Sequence, residues 1–182
     1  MALLVLLGGA RSGKSALAQQ LASATDAAVT LIATAEAHDD EMAERIAAHR
    51  AARPAQWTTV EEPIDVARAL AGTPQHACVI VDCLTLWVSN LLLAGWSAQR
   101  IEEEATRVAA LAGDRVAPTL VVSNEVGMGV VPAYELGREF RDVQGRVNAV
   151  FCAAADRSVM VFAGRALELT PADDLIEMFG RA

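Results

Sequence analysis

The octapeptide GGARSGKS at residues 8–15 constrains this chain more than any other feature. It matches the pattern Gly-x-x-x-x-Gly-Lys-Ser/Thr, a loop whose backbone N–H groups turn inward around phosphate oxygens. Such a loop works only between a strand that delivers the chain and a helix that leaves from it, because the helix N-terminus completes the anion site. Both flanks are present. Residues 2–7, ALLVLL, are an unbroken apolar run suited to a strand buried on both faces of a parallel sheet, and residues 14–23 read as a helix. Gly8, Gly9, Ala10, Arg11, Ser12, Gly13, Lys14 and Ser15 are therefore expected to hold a nucleotide. Lys14 neutralises the β- and γ-phosphates during transfer, and the Ser15 hydroxyl binds Mg²⁺. Lys14 is the only lysine of the chain, beside fourteen arginines. The loop needs a compact ammonium on a flexible stem, which a planar guanidinium does not replace.

Strand and helix patterns alternate along the rest of the chain. Strands are expected at 29–33, 57–61, 77–81, 118–123 and 158–163. Helices are expected at 39–52, 63–71, 84–94, 97–112, 134–155 and 172–180. This alternation predicts an α/β fold of the phosphate-loop type over residues 1–182, one domain, with a mostly parallel sheet covered by helices on both faces. Strand order is not readable from the pattern. No apolar run reaches the roughly 18–20 residues of a membrane span, and the N-terminus reads as a first strand rather than a signal peptide. The net charge of −8 argues against a nucleic-acid partner. Cys78, Cys83 and Cys152 lie in apolar stretches without metal spacing, as expected of reduced thiols in a cytoplasmic protein.

Phosphate-loop enzymes hold Mg²⁺ with a carboxylate at the end of a nearby strand. Asp82, closing ACVIVD, is the natural candidate for that role, with the N-cap of the helix that follows as its plainer reading. In the 39–52 helix, Met42, Ile46 and His49, with Arg53 just beyond, follow helical spacing along one face, while Arg45 and Arg53 stand one turn either side of His49 and Arg50 beside it. Arginines there could hold phosphate oxygens and keep the imidazole neutral and nucleophilic. On residues alone, a solvated basic helix face with a bystander histidine is the simpler reading. His38 and His76 read as surface residues. The SNEVGMGVVP loop (123–132) suits a mobile segment beside a substrate, or a plain strand-to-helix connection.

Taken together, GGARSGKS (8–15), IATAE (32–36), DDEMAERIAAHRAARPAQWTTVE (39–61), VDCLTLWVSN (81–90), SNEVGMGVVP (123–132) and REFRDVQGRVN (138–148) occur in an order and spacing that resemble the bifunctional adenosylcobinamide kinase / adenosylcobinamide-phosphate guanylyltransferase family, up to about residue 170. The resemblance implies phosphorylation of adenosylcobinamide by ATP or GTP. It also implies transfer of GMP from GTP, through a histidine, to adenosylcobinamide phosphate. The histidine carries over to His49, within AAHRAAR. Further nucleotide contacts carry over to Ala33, Thr34, Ala35, Arg50, Ala51, Ala52, Arg53, Glu61 and Asp82. A homotrimer with a shared active site is implied as well. Two departures stand out: Ala48 occupies a position that can carry a second histidine, and Asp82 one that can hold Glu. A kinase without nucleotidyl transfer, or a non-enzymatic NTP switch, are the other classes compatible with a phosphate loop.

Overall fold

The computed structural model describes residues 3–37, 40–51 and 53–180; within 40–51, the side chains of Glu41, Met42, Arg45, Ala48 and His49 lie outside that description. His38 and Ala52 therefore fall outside it too.

Seven strands form one sheet in the order β3-β2-β4-β5-β1-β6-β7. They are β1 (Leu3–Gly8), β2 (Val29–Ala33), β3 (Thr58–Glu61), β4 (Cys78–Asp82), β5 (Thr119–Val122), β6 (Arg157–Phe162) and β7 (Arg165–Leu169). The helices are α1 (Lys14–Ser23), α2 (Asp40–Ala51), α3 (Val66–Ala71), α4 (Leu84–Leu93), α5 (Ala98–Gly113), α6 (Glu135–Ala154) and α7 (Ala172–Gly180). The first six strands pair in parallel, as the α/β alternation requires; β7 runs antiparallel to β6. Among the described residues, no helix is long and apolar enough to cross a membrane.

The continuous apolar runs are explained by burial on both sides. Leu3, Val5, Leu7, Val79, Val81 and Val121 point to one face, where Val66, Leu70, Trp87, Leu91, Ile101, Val108, Val147 and Phe151 of α3–α6 cover them. Leu6, Leu31, Ile80, Leu120, Val122 and Val161 point to the other, against Ala18 and Ala22 of α1 and half-buried Trp57. Each fully buried large side chain contributes roughly 1.5–3 kcal/mol.

Two elements differ from the sequence expectation. Helix α3 starts at Val66, not near Pro63, because the Asp65 carboxylate caps Arg68 N and Glu62 Oε1 accepts from the N–H groups of Ile64 and Asp65. Strand β7 is an addition. The chain reverses at Ala163 (φ 47°) and Gly164 (φ 74°), a two-residue turn with both residues left-handed, which matches the twist of a hairpin. Its side chains are mostly exposed, so no alternating apolar pattern marks it.

The strand register lines up the functional edge. Ala33 pairs with both Glu61 and Asp82, Asp82 with Val122, and Val122 with Leu6. Glu61, Ala33 and Asp82 thus stand in one row across the C-terminal ends of the strands, two residues short of Gly8 on β1.

Candidate active site

The loop that leaves β1 wraps over this edge. Gly8 has φ 148°, and a Cβ there would stand 2.3 Å from the Val161 carbonyl oxygen, so only glycine fits against β6. Gly13, the residue before α1, has φ 104°. The far side of the loop is held by the β6–β7 turn, whose Gly164 N–H donates to Ser12 O (2.8 Å). Glu125 N–H donates to Gly8 O (3.1 Å), so the segment after β5 braces the loop from its other flank.

Lys14 opens α1 and is only 6% exposed. Its Nζ donates to Gly9 O (2.6 Å) and Ser12 Oγ (3.3 Å), inside the loop. Burial lowers its pKa below that of an ordinary lysine, partly opposed by the charges of Cys83, when ionised, and Asp82. Ser15 follows in the first turn of α1, half-buried.

Asp82 ends β4. The N-cap of α4 is Cys83, not Asp82, and Cys83 makes no side-chain cap. The N-cap reading of Asp82 is thereby removed. The carboxylate interacts electrostatically with Lys14 on one side and with Arg53 on the other. Arg53 follows α2. Its pKa is lowered by burial and by Arg50, and held up by Asp82. Its NH1 donates to Thr59 Oγ1 (3.4 Å), while its Nε is buried without a hydrogen-bond partner. Arg50 forms an ion pair with Glu61, both exposed. The structure therefore joins the end of the histidine-bearing helix to the same edge as the phosphate loop, through Asp82 and Glu61. Ala51, in the last turn of α2, is exposed. His49 lies in α2 more than two turns from its start, its side chain outside the described residues, as is Ala52.

Ala33 and Thr34 continue from β2 beside Asp82, and half-buried Ala35 follows. Thr34 is fully buried and acts as a brace. Its N–H donates to Asp82 O (3.1 Å), its hydroxyl donates to Cys83 O (2.7 Å) and accepts from Cys83 N–H (2.8 Å). Asn90 Nδ2 then donates to Thr34 O (2.8 Å). Asn90 is not among the expected site residues. The signal for it is a lone amide in the apolar run LTLWVSNLLL, which a buried helix tolerates only with a hydrogen-bond partner. Burial raises the Cys83 thiol to about 11, with Asp82 adding to the shift, so it is neutral at physiological pH.

The segment after β5 is braced by residues that lie in the VDCLTLWVSN, SNEVGMGVVP and REFRDVQGRVN segments but are not among the expected site residues. Asn124 N–H donates to Thr85 Oγ1 (2.7 Å), and Asn148 Nδ2 donates to Asn124 O (3.0 Å). Beneath it, Ser123 Oγ donates to Asn148 Oδ1 (2.6 Å), and Gln144 Nε2 donates to both (2.8 Å each). Among the described residues, no cluster of three or more His, Cys, Asp or Glu is arranged to hold a metal.

This edge, a glycine-shaped loop with a buried ammonium and a strand-end carboxylate flanked by arginine, is built to bind and polarise phosphates. Comparison with known proteins gives it an identity. The crystal structure of the RadB recombinase aligns with 87% of this chain and 73% of that chain, at a TM-score of 0.49 and 13% identity. The bifunctional adenosylcobalamin biosynthesis protein CobP of Pseudomonas aeruginosa is 44% identical over 166 residues, 91% of this chain and 95% of that protein. The CobU proteins of the same description from Salmonella typhimurium and Escherichia coli are 39% and 38% identical, each over 89% of this chain and 96% of the relative. The family described as cobinamide kinase / cobinamide phosphate guanyltransferase matches residues 4–169, and this chain belongs to it.

Proposed function

We propose that this chain phosphorylates the aminopropanol hydroxyl of adenosylcobinamide with ATP or GTP. It then transfers GMP from GTP to adenosylcobinamide phosphate, giving adenosyl-GDP-cobinamide. Family membership supports both activities. The observation that carries the two-step reading is the position of Asp82, which interacts with Lys14 of the phosphate loop and with Arg53 at the end of the histidine helix.

In the kinase step, the inward N–H groups of residues 8–15 and Lys14 hold the β- and γ-phosphates. The acceptor hydroxyl attacks the γ-phosphorus and the nucleoside diphosphate leaves. In the second step, a neutral His49 nitrogen attacks the α-phosphorus of GTP, and pyrophosphate leaves. A phosphate oxygen of the cobinamide phosphate then attacks the same phosphorus, and the phosphorus–nitrogen bond breaks. Arg50 and Arg53 suit the charge of the pentavalent phosphorus; the partnerless Arg53 Nε is a donor of the right kind to meet a phosphate oxygen. Ala33, Thr34, Ala35, Ala51, Ala52 and Glu61 belong to this reading as further nucleotide contacts, on the strength of the family pattern. The Ser15 hydroxyl and Asp82 carboxylate are hard oxygen donors, too few to cage a cation alone, which fits Mg²⁺ carried largely by phosphates and water. Bound there, Mg²⁺ would neutralise β- and γ-phosphate charge. A homotrimer with shared active sites belongs to the same reading.

The test uses GTP labelled at the α-phosphate, with Mg²⁺ and no acceptor, on the wild type and His49→Ala. The expected result is an acid-labile, base-stable protein label that the variant lacks. No label on a folded, GTP-binding wild type leaves a phosphate-loop kinase alone.

A further inference from the structure

We infer that the apolar crest of the β5–α6 connection is the bed on which the corrin macrocycle of the acceptor lies. The inference rests on the cobinamide reading above and names the part of the site that holds the acceptor's bulk. Cobinamide is a hydroxyl-bearing arm on a wide ring fringed with methyl groups and amides. The arm can reach a phosphorus in the loop, but the ring is too wide to follow it and must rest on the rim.

The rim has distinct walls. On one side is α2, whose described side chains are mostly exposed and include Glu44 and Arg50, with the Arg50–Glu61 ion pair at its foot. On the other is the connection from β5 to α6. It leaves the sheet between β4 and β1, the strands that carry Asp82 and the phosphate loop. Within nine residues it exposes Met128 (74%), Val130 (96%), Val131 (61%), Tyr134 (83%) and Leu136 (53%). Five large apolar side chains held in water so close together mark a binding surface rather than chance exposure. Among the described residues, the other dense group of exposed large apolar side chains, Leu175, Ile176, Met178 and Phe179, is on α7, which follows the edge strand β7 and not the strands that carry Asp82 and the phosphate loop.

The crest is held in place at both ends. Its root is tied to the phosphate loop by Glu125 N–H to Gly8 O and to α4 and α6 through Asn124. Its far end is tied by the Arg138 guanidinium, which donates to the carbonyls of Pro132 (3.1 Å) and Ala133 (2.7 Å). An apolar surface fixed to the phosphate loop suits a ring whose arm must find the γ-phosphorus. A second copy of the chain is the rival occupant. The tie of the crest's root to Gly8 of the phosphate loop favours the ring, whose arm must reach a phosphorus held in that loop.

The test compares wild type with Val130→Ser and Tyr134→Ser, both at exposed positions that fold does not depend on. Cobinamide binding is read by its corrin absorbance, GTP binding separately, and the oligomeric state by sedimentation. The expected result is a weakening of cobinamide binding by about tenfold or more in each variant. GTP binding and sedimentation stay unchanged. Unchanged cobinamide affinity overturns the inference. So does a shift to smaller species on sedimentation, which assigns the crest to a subunit interface. If the wild type binds GTP but no cobinamide at all, it is the cobinamide reading that fails.

Discussion

Gly8 and Gly9 are adjacent, yet the structure predicts opposite consequences for replacing them with alanine. At Gly8, the new Cβ would stand 2.3 Å from Val161 O and 2.9 Å from Ser12 Oγ, and φ is 148°. The oxygen belongs to the backbone of β6, which is paired with β1 along its length and cannot swing aside. Overpacking against a fixed neighbour costs roughly 1–3 kcal/mol, and an unfavourable φ adds about 1–3 kcal/mol. The expected loss is therefore about 2–6 kcal/mol. For a chain of this length, that lowers Tm by roughly 4–24 °C. At Gly9, a Cβ meets nothing within 4 Å, so Gly9→Ala should change stability by less than about 0.5 kcal/mol. The assay is thermal and urea unfolding of both variants without nucleotide, so that no loss of ligand contact confuses the reading. Equal stabilities for the two variants, or a Gly8→Ala protein as stable as wild type, would refute the argument from close approach.

Other perturbations probe the rest of the site. Thr34→Val keeps the shape but strands the Cys83 N–H, while Cys83 O keeps its bond from Trp87 N–H, so urea unfolding should show a loss of about 1–3 kcal/mol. Lys14, as the only lysine, gives a direct probe: an amine-selective reagent should modify it more slowly in the presence of GTP, and Lys14→Met should weaken GTP binding by at least about tenfold. Because its folded pKa is lowered, the unfolded chain binds more protons between that value and the free-lysine value of about 10.4, so wild-type stability should rise with pH across that window relative to Lys14→Met. GTP affinity should fall across the same range as Lys14 loses its charge. With the Cys83 thiol raised to about 11 and Cys78 and Cys152 also raised by burial, alkylation of folded protein at about pH 7.5 should be slow at all three, and rapid at any one of them would contradict their surroundings.

The parts of this architecture that sequence makes legible are those where one segment carries the whole signal. The run LLVLLG and the motif after it specify a buried strand, a loop and a helix without reference to any other part of the chain. The strand order does not have that property. Val5, Val79, Val81 and Val121 are interchangeable as apolar side chains of parallel strands, and nothing in ACVIV or PTLVV says which lies beside VTLIA. The order emerges from crossovers and from side chains that meet across the fold, such as Thr34 with Cys83 or Ser123 with Asn148, at sequence separations of 49 and 25. Strand β7 is hidden for a different reason: it is an exposed antiparallel edge, so neither face is forced to be apolar. At the site, the carboxylate at position 82 is legible as a residue with two uses. Only the backbone of α4, which begins capping at Cys83, separates them.

One cradle must serve attack at two different phosphorus atoms, and that bears on α2. The γ-phosphorus lies at the mouth of the loop and the α-phosphorus further along, so a histidine fixed on one helix cannot stand in line with the second while the acceptor stands in line with the first unless the nucleotide or the helix shifts. The described side chains of α2 favour a helix that can shift. Asp40, Ala43, Glu44, Ala47, Arg50 and Ala51 are exposed, and only Ile46 is half-buried, so little apolar area among them holds the helix to the sheet. Its C-terminal end is held by an exposed ion pair and by Arg53, contacts that re-form at small cost. Amide hydrogen exchange across residues 40–51 measures this directly. Exchange should slow by about tenfold or more when GMP is attached to His49, and change little with a GTP analogue that cannot transfer. Equal protection in the two states would mean that the helix is already in place, and the two reactions would then have to be separated by two poses of the nucleotide.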